Sequence, residues 1–101
     1  MDTIGTALGH GKETFRHAED TEIDARFYAL RSALGQGLRE LRRKRGMTQA
    51  DLAQRLERSA AAVSFMGSAK PGASIELQIR ALFLLGATLD DLARMLAAAS
   101  R

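Results

Sequence analysis

Apolar residues recur along the 101-residue chain in helical steps. Ile23, Phe27, Leu30, Leu34 and Leu41 follow one another at spacings of four, three, four and seven, with Leu38 beside them, and so trace one stripe of an α-helix. Gly35 and Gly37 interrupt the stripe, each worth about 1 kcal/mol of helix stability relative to Ala. The register carries across them, and the spacing predicts one helix over residues 24–44. Residues 1–21 show no sustained period and are expected to be a flexible tail with one helical turn around residues 13–18, ahead of a folded domain over 22–101. After Gly46, Thr48 precedes Asp51 by three residues, an N-cap with an acid in the first turn, which predicts a second helix over residues 48–56. Ser59 caps a third, over 60–66, with Gly67 suited to a left-handed terminal position. Ser74, Glu76 and Gln78 open a fourth, which carries Ile75, Ile79, Leu82 and Leu85 and stops at Gly86. Thr88 with Asp91 opens a fifth, with Leu89, Leu92 and Leu96 on one face. The expected fold is all-α, five helices with an extended first helix. Its expected core is Leu38, Leu41, Met47, Leu52, Ala53, Leu56, Val63, Met66, Ile75, Ile79, Leu82, Leu85, Leu89 and Leu92.

Composition agrees with this reading and narrows the chemistry. Aromatic residues are 5% of the chain and there is one proline, which favours Leu- and Ala-driven helix packing over a β-sandwich. There is no cysteine, so disulfides, thiolate catalysis and cysteine-bound zinc are excluded. The N-terminal residues lack the basic flank and apolar stretch of a secretory signal. The longest apolar run, from Ala81 to Ala87, is far short of the about 20 residues that cross a bilayer, so a cytoplasmic protein without membrane contact is expected.

The catalytic repertoire is sparse. His10 and His17 could share a helix face around a metal only if the tail were helical; a solvated tail is the simpler reading, and no metal or cofactor is expected. Gly11 and Lys12 lack both the glycine five residues earlier and the Ser or Thr directly after that a phosphate loop requires; Thr6 and Glu13 stand there. Asp90 and Asp91 are adjacent, about 100° apart on a helix, and cap rather than catalyse. No enzyme is expected.

Charge is more informative. The net charge is only +3, yet residues 39–58 hold seven bases against three acids, while residues 1–38 hold four against six. A local basic patch of this kind points to a polyanion. From Leu38 onward the order of helix, tight turn, helix, three-residue turn and short helix makes a helix-turn-helix, whose second helix presents its N-terminal residues to a DNA groove. Leu38-Arg-Glu-Leu-Arg-Arg-Lys-Arg-Gly-Met-Thr-Gln-Ala-Asp-Leu-Ala-Gln-Arg-Leu, followed by Ser59, Ala62-Val-Ser, Lys70, Ser74-Ile-Glu and Leu85-Gly-Ala-Thr-Leu-Asp-Asp-Leu, resembles the Cro/C1-type (Xre-like) helix-turn-helix DNA-binding domains without a gap over residues 38–92. The resemblance implies a small transcriptional regulator, repressor-like or the antitoxin half of a toxin–antitoxin pair, that binds double-stranded operator DNA as a homodimer. It implies phosphate or groove-edge contact by Gln49 beside Thr48 at a helix N-terminus. Arg43, Lys44, Arg45, Arg58 and Lys70 are further candidates for phosphate, against the plain reading of a solvated charged face.

The positions that face bases in such domains are here Ala60, Ala61, Ser64 and Phe65. Only Ser64 can hydrogen-bond, and none supplies the bidentate readout that Arg, Lys, Asn or Gln provide. Gly67 stands where family members often carry an acid paired with a base that corresponds to Arg42. An exposed Phe65 beside alanines also suits a protein interface. The alternative is therefore a degenerate helix-turn-helix that binds a protein, a toxin or a transcription factor, as an anti-activator would. Two surfaces could pair copies, the stripe Ile23, Phe27, Leu30 and Leu34, which extends beyond the family core, and Leu92, Met95 and Leu96 of the C-terminal helix. The stripe, with its aromatic Phe27 and Tyr28, is the expected dimer surface, and folding back onto the protomer's own core is the competing reading.

Overall fold

The computed structural model describes residues 2–68, 70 and 72–100, with side chains from residue 19 onward. Five helices follow one another: α1 (Asp2–Lys44), α2 (Gln49–Leu56), α3 (Ala60–Met66), α4 (Ile75–Leu84) and α5 (Leu89–Ala99). There is no strand among the described residues. The all-α, five-helix expectation holds, and α1 runs unbroken through Gly35 and Gly37. Its backbone is helical from Asp2 rather than from the expected start near Asp24. The side chains of the expected tail up to residue 18, His10 and His17 among them, lie outside the described residues.

Both glycines in α1 serve packing. A Cβ at Gly35 would lie 2.9 Å from the Gly67 carbonyl oxygen, so α1 meets the end of α3 backbone to backbone. A Cβ at Gly37 would lie 2.6 Å from Met95 Sδ, the tip of a flexible side chain on α5. Leu34 and Leu38 of α1, Leu52 and Ala53 of α2, Val63 and Met66 of α3, and Ala81, Leu82 and Leu85 at α4 form the buried core. Leu41, Met47, Leu56, Ile75, Ile79 and Leu92 pack half-buried around it. Leu89 is a correction, being 74% exposed at the first position of α5. α5 lies on α1 through Leu92 and Met95 instead, and its register is set by the opening that Gly37 leaves for Met95.

The helix ends explain a second correction. After α1, Met47 N–H donates to the Arg42 carbonyl (3.0 Å) and Gly46 N–H to the Arg43 carbonyl (2.9 Å), with Gly46 at φ +70°. After α4 the same pairing recurs from Ala87 and Gly86, with Gly86 at φ +94°. α2 ends in this way too, but its left-handed position is filled by Glu57 at φ 57°, without a glycine. Gly67, expected to be left-handed, is right-handed at φ −77°. The carbonyls at the end of α3 are taken up by side chains: Gln78 Nε2 donates to the Met66 carbonyl (2.8 Å), Ser68 Oγ to the Phe65 carbonyl (2.7 Å) and Arg39 Nη1 to the Gly67 carbonyl. With those acceptors satisfied, no left-handed closing turn is needed.

Candidate nucleic-acid interface

α2 and α3 are joined by Glu57, Arg58 and Ser59. Both begin on side-chain caps, because the first N–H groups of a helix have no partner within it. Thr48 Oγ1 accepts from Asp51 N–H (3.0 Å) while Asp51 Oδ2 accepts from Thr48 N–H (2.9 Å), a reciprocal capping box. These bonds hold the Asp51 carboxyl below its ordinary pKa. Ser59 Oγ accepts from Ala62 N–H (3.1 Å) and starts α3. Gln49, the first residue of α2, is exposed.

The register of α3 follows from its burial. Val63 and Met66 turn into the core, while Ala60, Ala61, Ser64 and Phe65 turn outward, Phe65 with 39% of its surface exposed. The expected base-facing set therefore shares one outer face. Beyond it, exposed Lys70 follows Ser68, whose Oγ accepts from Lys70 N–H (3.4 Å).

Spacing divides the basic block at and just beyond the end of α1 into two groups. Arg39, Arg42 and Arg45 recur every three residues, and each tethers the end of α1 to a backbone carbonyl. Arg39 reaches Gly67, Arg42 Nη1 reaches Met47 (2.7 Å) and Arg45 Nε reaches Leu85 (2.9 Å). Arg43 and Lys44 fall between them and are exposed. Arg45, expected at phosphate, is thus engaged toward the α4–α5 turn. Arg58 is exposed, with Nη1 3.3 Å from its neighbour's Glu57 carbonyl, and lines a hollow with Glu76 and Arg80 on the α4 side. Gln49 and Ser64, by contrast, are brought together at a cleft of about 140 Å³ whose rim also holds Arg39, Arg42, Gly67 and Ser68.

The expected dimer stripe is split. Ile23 and Phe27 are 48% and 45% exposed, and Arg31 stands 6.0 Å over the Phe27 ring, a cation–π distance. Leu30 is half-buried against the core and Leu34 is wholly buried in it, so Leu34 cannot meet a second copy. Its place is the competing reading, the protomer's own core.

Sequence reasoning missed Arg39 as a brace and Gln78 as the polar centre of the core. Gln78 is wholly buried on α4, and its Nε2 donates to the carbonyls of Arg31 (3.1 Å) and Met66 (2.8 Å), tying α4 to α1 and α3. The available signal was a glutamine within the apolar stripe Ile75, Ile79, Leu82. For Arg39 it was the three-residue step to Arg42 and Arg45.

A helix pair joined by a three-residue turn, with α3 outward-facing at the end of a basic helix, defines a helix-turn-helix protein. Residues 33–95 match the family model described as a helix-turn-helix domain, of the Xre/Cro-like type, and the chain belongs to that family. No curated protein and no solved structure gives a significant match. A domain of this family suggests a DNA-binding regulator and is typically non-enzymatic. No helix of the described residues is long and apolar enough to cross a membrane.

Proposed function

We propose that the protein is a cytoplasmic, repressor-like transcriptional regulator that binds operator DNA as a homodimer, without a cofactor and without catalysis. The observation that carries this reading is that exposed Gln49 and Ser64 meet at one cleft of the α2–α3 pair whose rim holds Arg39 and Arg42. Phosphate contacts by Arg43, Lys44, Thr48, Gln49, Arg58 and Lys70 would position α3. Sequence preference would come mainly from DNA shape, since Ala60, Ala61 and Phe65 carry no hydrogen-bonding groups in their side chains. Residues 1–21 would be an N-terminal extension of the 22–101 domain. A place as the antitoxin of a toxin–antitoxin pair fits the same reading, with the toxin as protein partner.

Exposed Phe65 favours a second reading, in which α3 docks on a protein and the chain acts as an anti-activator. Phe65→Arg and Phe65→Ala separate the two. If α3 enters the groove, Phe65→Arg keeps or raises DNA affinity through added positive charge. If α3 docks on a protein, Phe65 is an anchor whose truncation commonly costs about 2 kcal/mol or more of binding. Phe65→Ala then loses the partner while remaining folded on Val63 and Met66. DNA retention and partner pull-down on both variants decide the matter, with loss of DNA binding in Phe65→Arg counting against the repressor reading.

A further inference from the structure

The cleft between α1, α2 and α3 gathers two cationic and several neutral polar side chains. Arg39 and Arg42 project from α1 one turn apart. Each has one nitrogen fixed on a carbonyl, Gly67 for Arg39 and Met47 for Arg42, which orients the guanidinium and leaves its other N–H groups available. Neither arginine forms a salt bridge with a carboxylate of the described residues; the acid nearest in sequence, Glu40, accepts from Gln36 Nε2 (3.1 Å). Across the cleft stand the Gln49 amide and the Ser64 hydroxyl, neither of which has a side-chain hydrogen bond within the described protein. Ser68 at the rim spends its hydroxyl proton on the Phe65 carbonyl. Leu38 and Val63 form an apolar floor, which strengthens the field of the two cations.

We propose that Arg39, Arg42, Gln49 and Ser64 bind one phosphate in this cleft, held between the two guanidinium groups and the two neutral donors. Planar guanidinium forks suit phosphate oxygens better than a point charge does. The cleft, at about 140 Å³, has room for an oxyanion. Gly67 keeps it open. A carboxylate at that position would neutralise the pair from within, and none is present. The proposal deepens the DNA-binding reading and rests on it only for the source of the phosphate, a DNA backbone phosphodiester or a free phosphate.

Gly67 also provides the test. Its backbone is right-handed, and a Cβ there would meet Arg39 at 3.4 Å, an ordinary contact, so a side chain fits. The full chain is titrated with inorganic phosphate against chloride at constant ionic strength, following the amides of Ser64 and Gly67 and the Nε resonances of Arg39 and Arg42. The expected result is a saturable, phosphate-specific shift, retained in Gly67→Ala and lost in Gly67→Glu. Arg42→Gln, expected to lose it as well, serves if Gly67→Glu does not fold. The same proteins are then measured on duplex DNA across a salt series. A salt slope lower by about 0.9 in Gly67→Glu than in Gly67→Ala assigns the phosphate to the DNA backbone. Equal slopes with the phosphate response intact assign a free phosphate. A phosphate response in a chain that binds no DNA keeps the site and removes the DNA-binding reading. No phosphate response together with unchanged slopes, or a response undiminished in both Gly67→Glu and Arg42→Gln, overturns the proposal.

Discussion

At Gly35 one hydrogen stands where any other residue would place a carbon 2.9 Å from the Gly67 carbonyl oxygen, and neither backbone can move away without opening the core. Gly35→Ala should therefore destabilise the fold by about 1–3 kcal/mol, as overpacking does, despite the gain of about 1 kcal/mol in helix propensity. Gly37→Ala faces only the thioether of Met95, which can swing aside, and should lie within about 1 kcal/mol of the parent. Urea midpoints of the two variants check the contrast, and equal losses would refute the backbone contact at Gly35. Both glycines were visible in the sequence as interruptions of a helical stripe, and their register across the gap was legible. What each one touches was not, because that depends on elements 30 and more residues away. Gln78 and Arg39 were hidden likewise, their partners lying on other elements 12 to 47 residues away. A side chain's target carbonyl is a tertiary fact, whereas apolar spacing reports only which face of an element is covered.

At the scale of elements, helix starts were more legible than helix ends. Thr48, Ser59, Ser74 and Thr88 all cap as their residue types imply, each oxygen accepting from an N–H three residues on. Ends are less certain to read, since the freed carbonyls can be closed by a left-handed residue or by remote side chains, and Gly67 belongs to the second case. Glu57 is a non-glycine residue held at φ 57°. Replacing it with glycine should stabilise the protein by up to about 1 kcal/mol, the strain relieved less the added freedom of the unfolded chain, and a rise in melting temperature checks this. The capping boxes also set the acid response. Asp51 is lowered chiefly by the Thr48 backbone bond and then by its side-chain bond, and Asp91 by the same two bonds from Thr88, with Arg94 and Lys44 adding to it. A carboxyl lowered in the folded state contributes stability that is complete above the unfolded-state value of about 3.9 and is lost as pH falls through the lower folded value. Stability should thus decline below about pH 5, and Asp51→Asn with Asp91→Asn should flatten that decline in urea unfolding at stepped pH. An unchanged slope would contradict the assignment.

At the scale of the molecule, the basic helix α1 is both the brace of the fold and the edge of its binding face. The family was legible because its joint spacing from Leu38 to Leu92 is carried by caps and core positions together. The division of labour among the arginines was not, since composition counts charges without saying which are spent on carbonyls. The proposed homodimer would have to draw on what α1 leaves exposed: with Leu34 buried, Ile23 and Phe27 are the exposed part of the stripe. Sedimentation should show a dimer that Phe27→Ala converts to a folded monomer; a monomer at tens of micromolar in the parent protein would assign the stripe to the protomer alone. The most direct test of the central claim, that this face engages the DNA backbone, is duplex affinity measured across a salt series. The logarithm of affinity should fall linearly with the logarithm of salt concentration, by about 0.9 for each phosphate neutralised. Arg43→Ala should remove about one such unit on every sequence, whereas Arg45→Ala, tied to the Leu85 carbonyl, should lower the melting temperature and leave the slope unchanged. A flat salt dependence, or no binding of any duplex at low salt, would contradict the account.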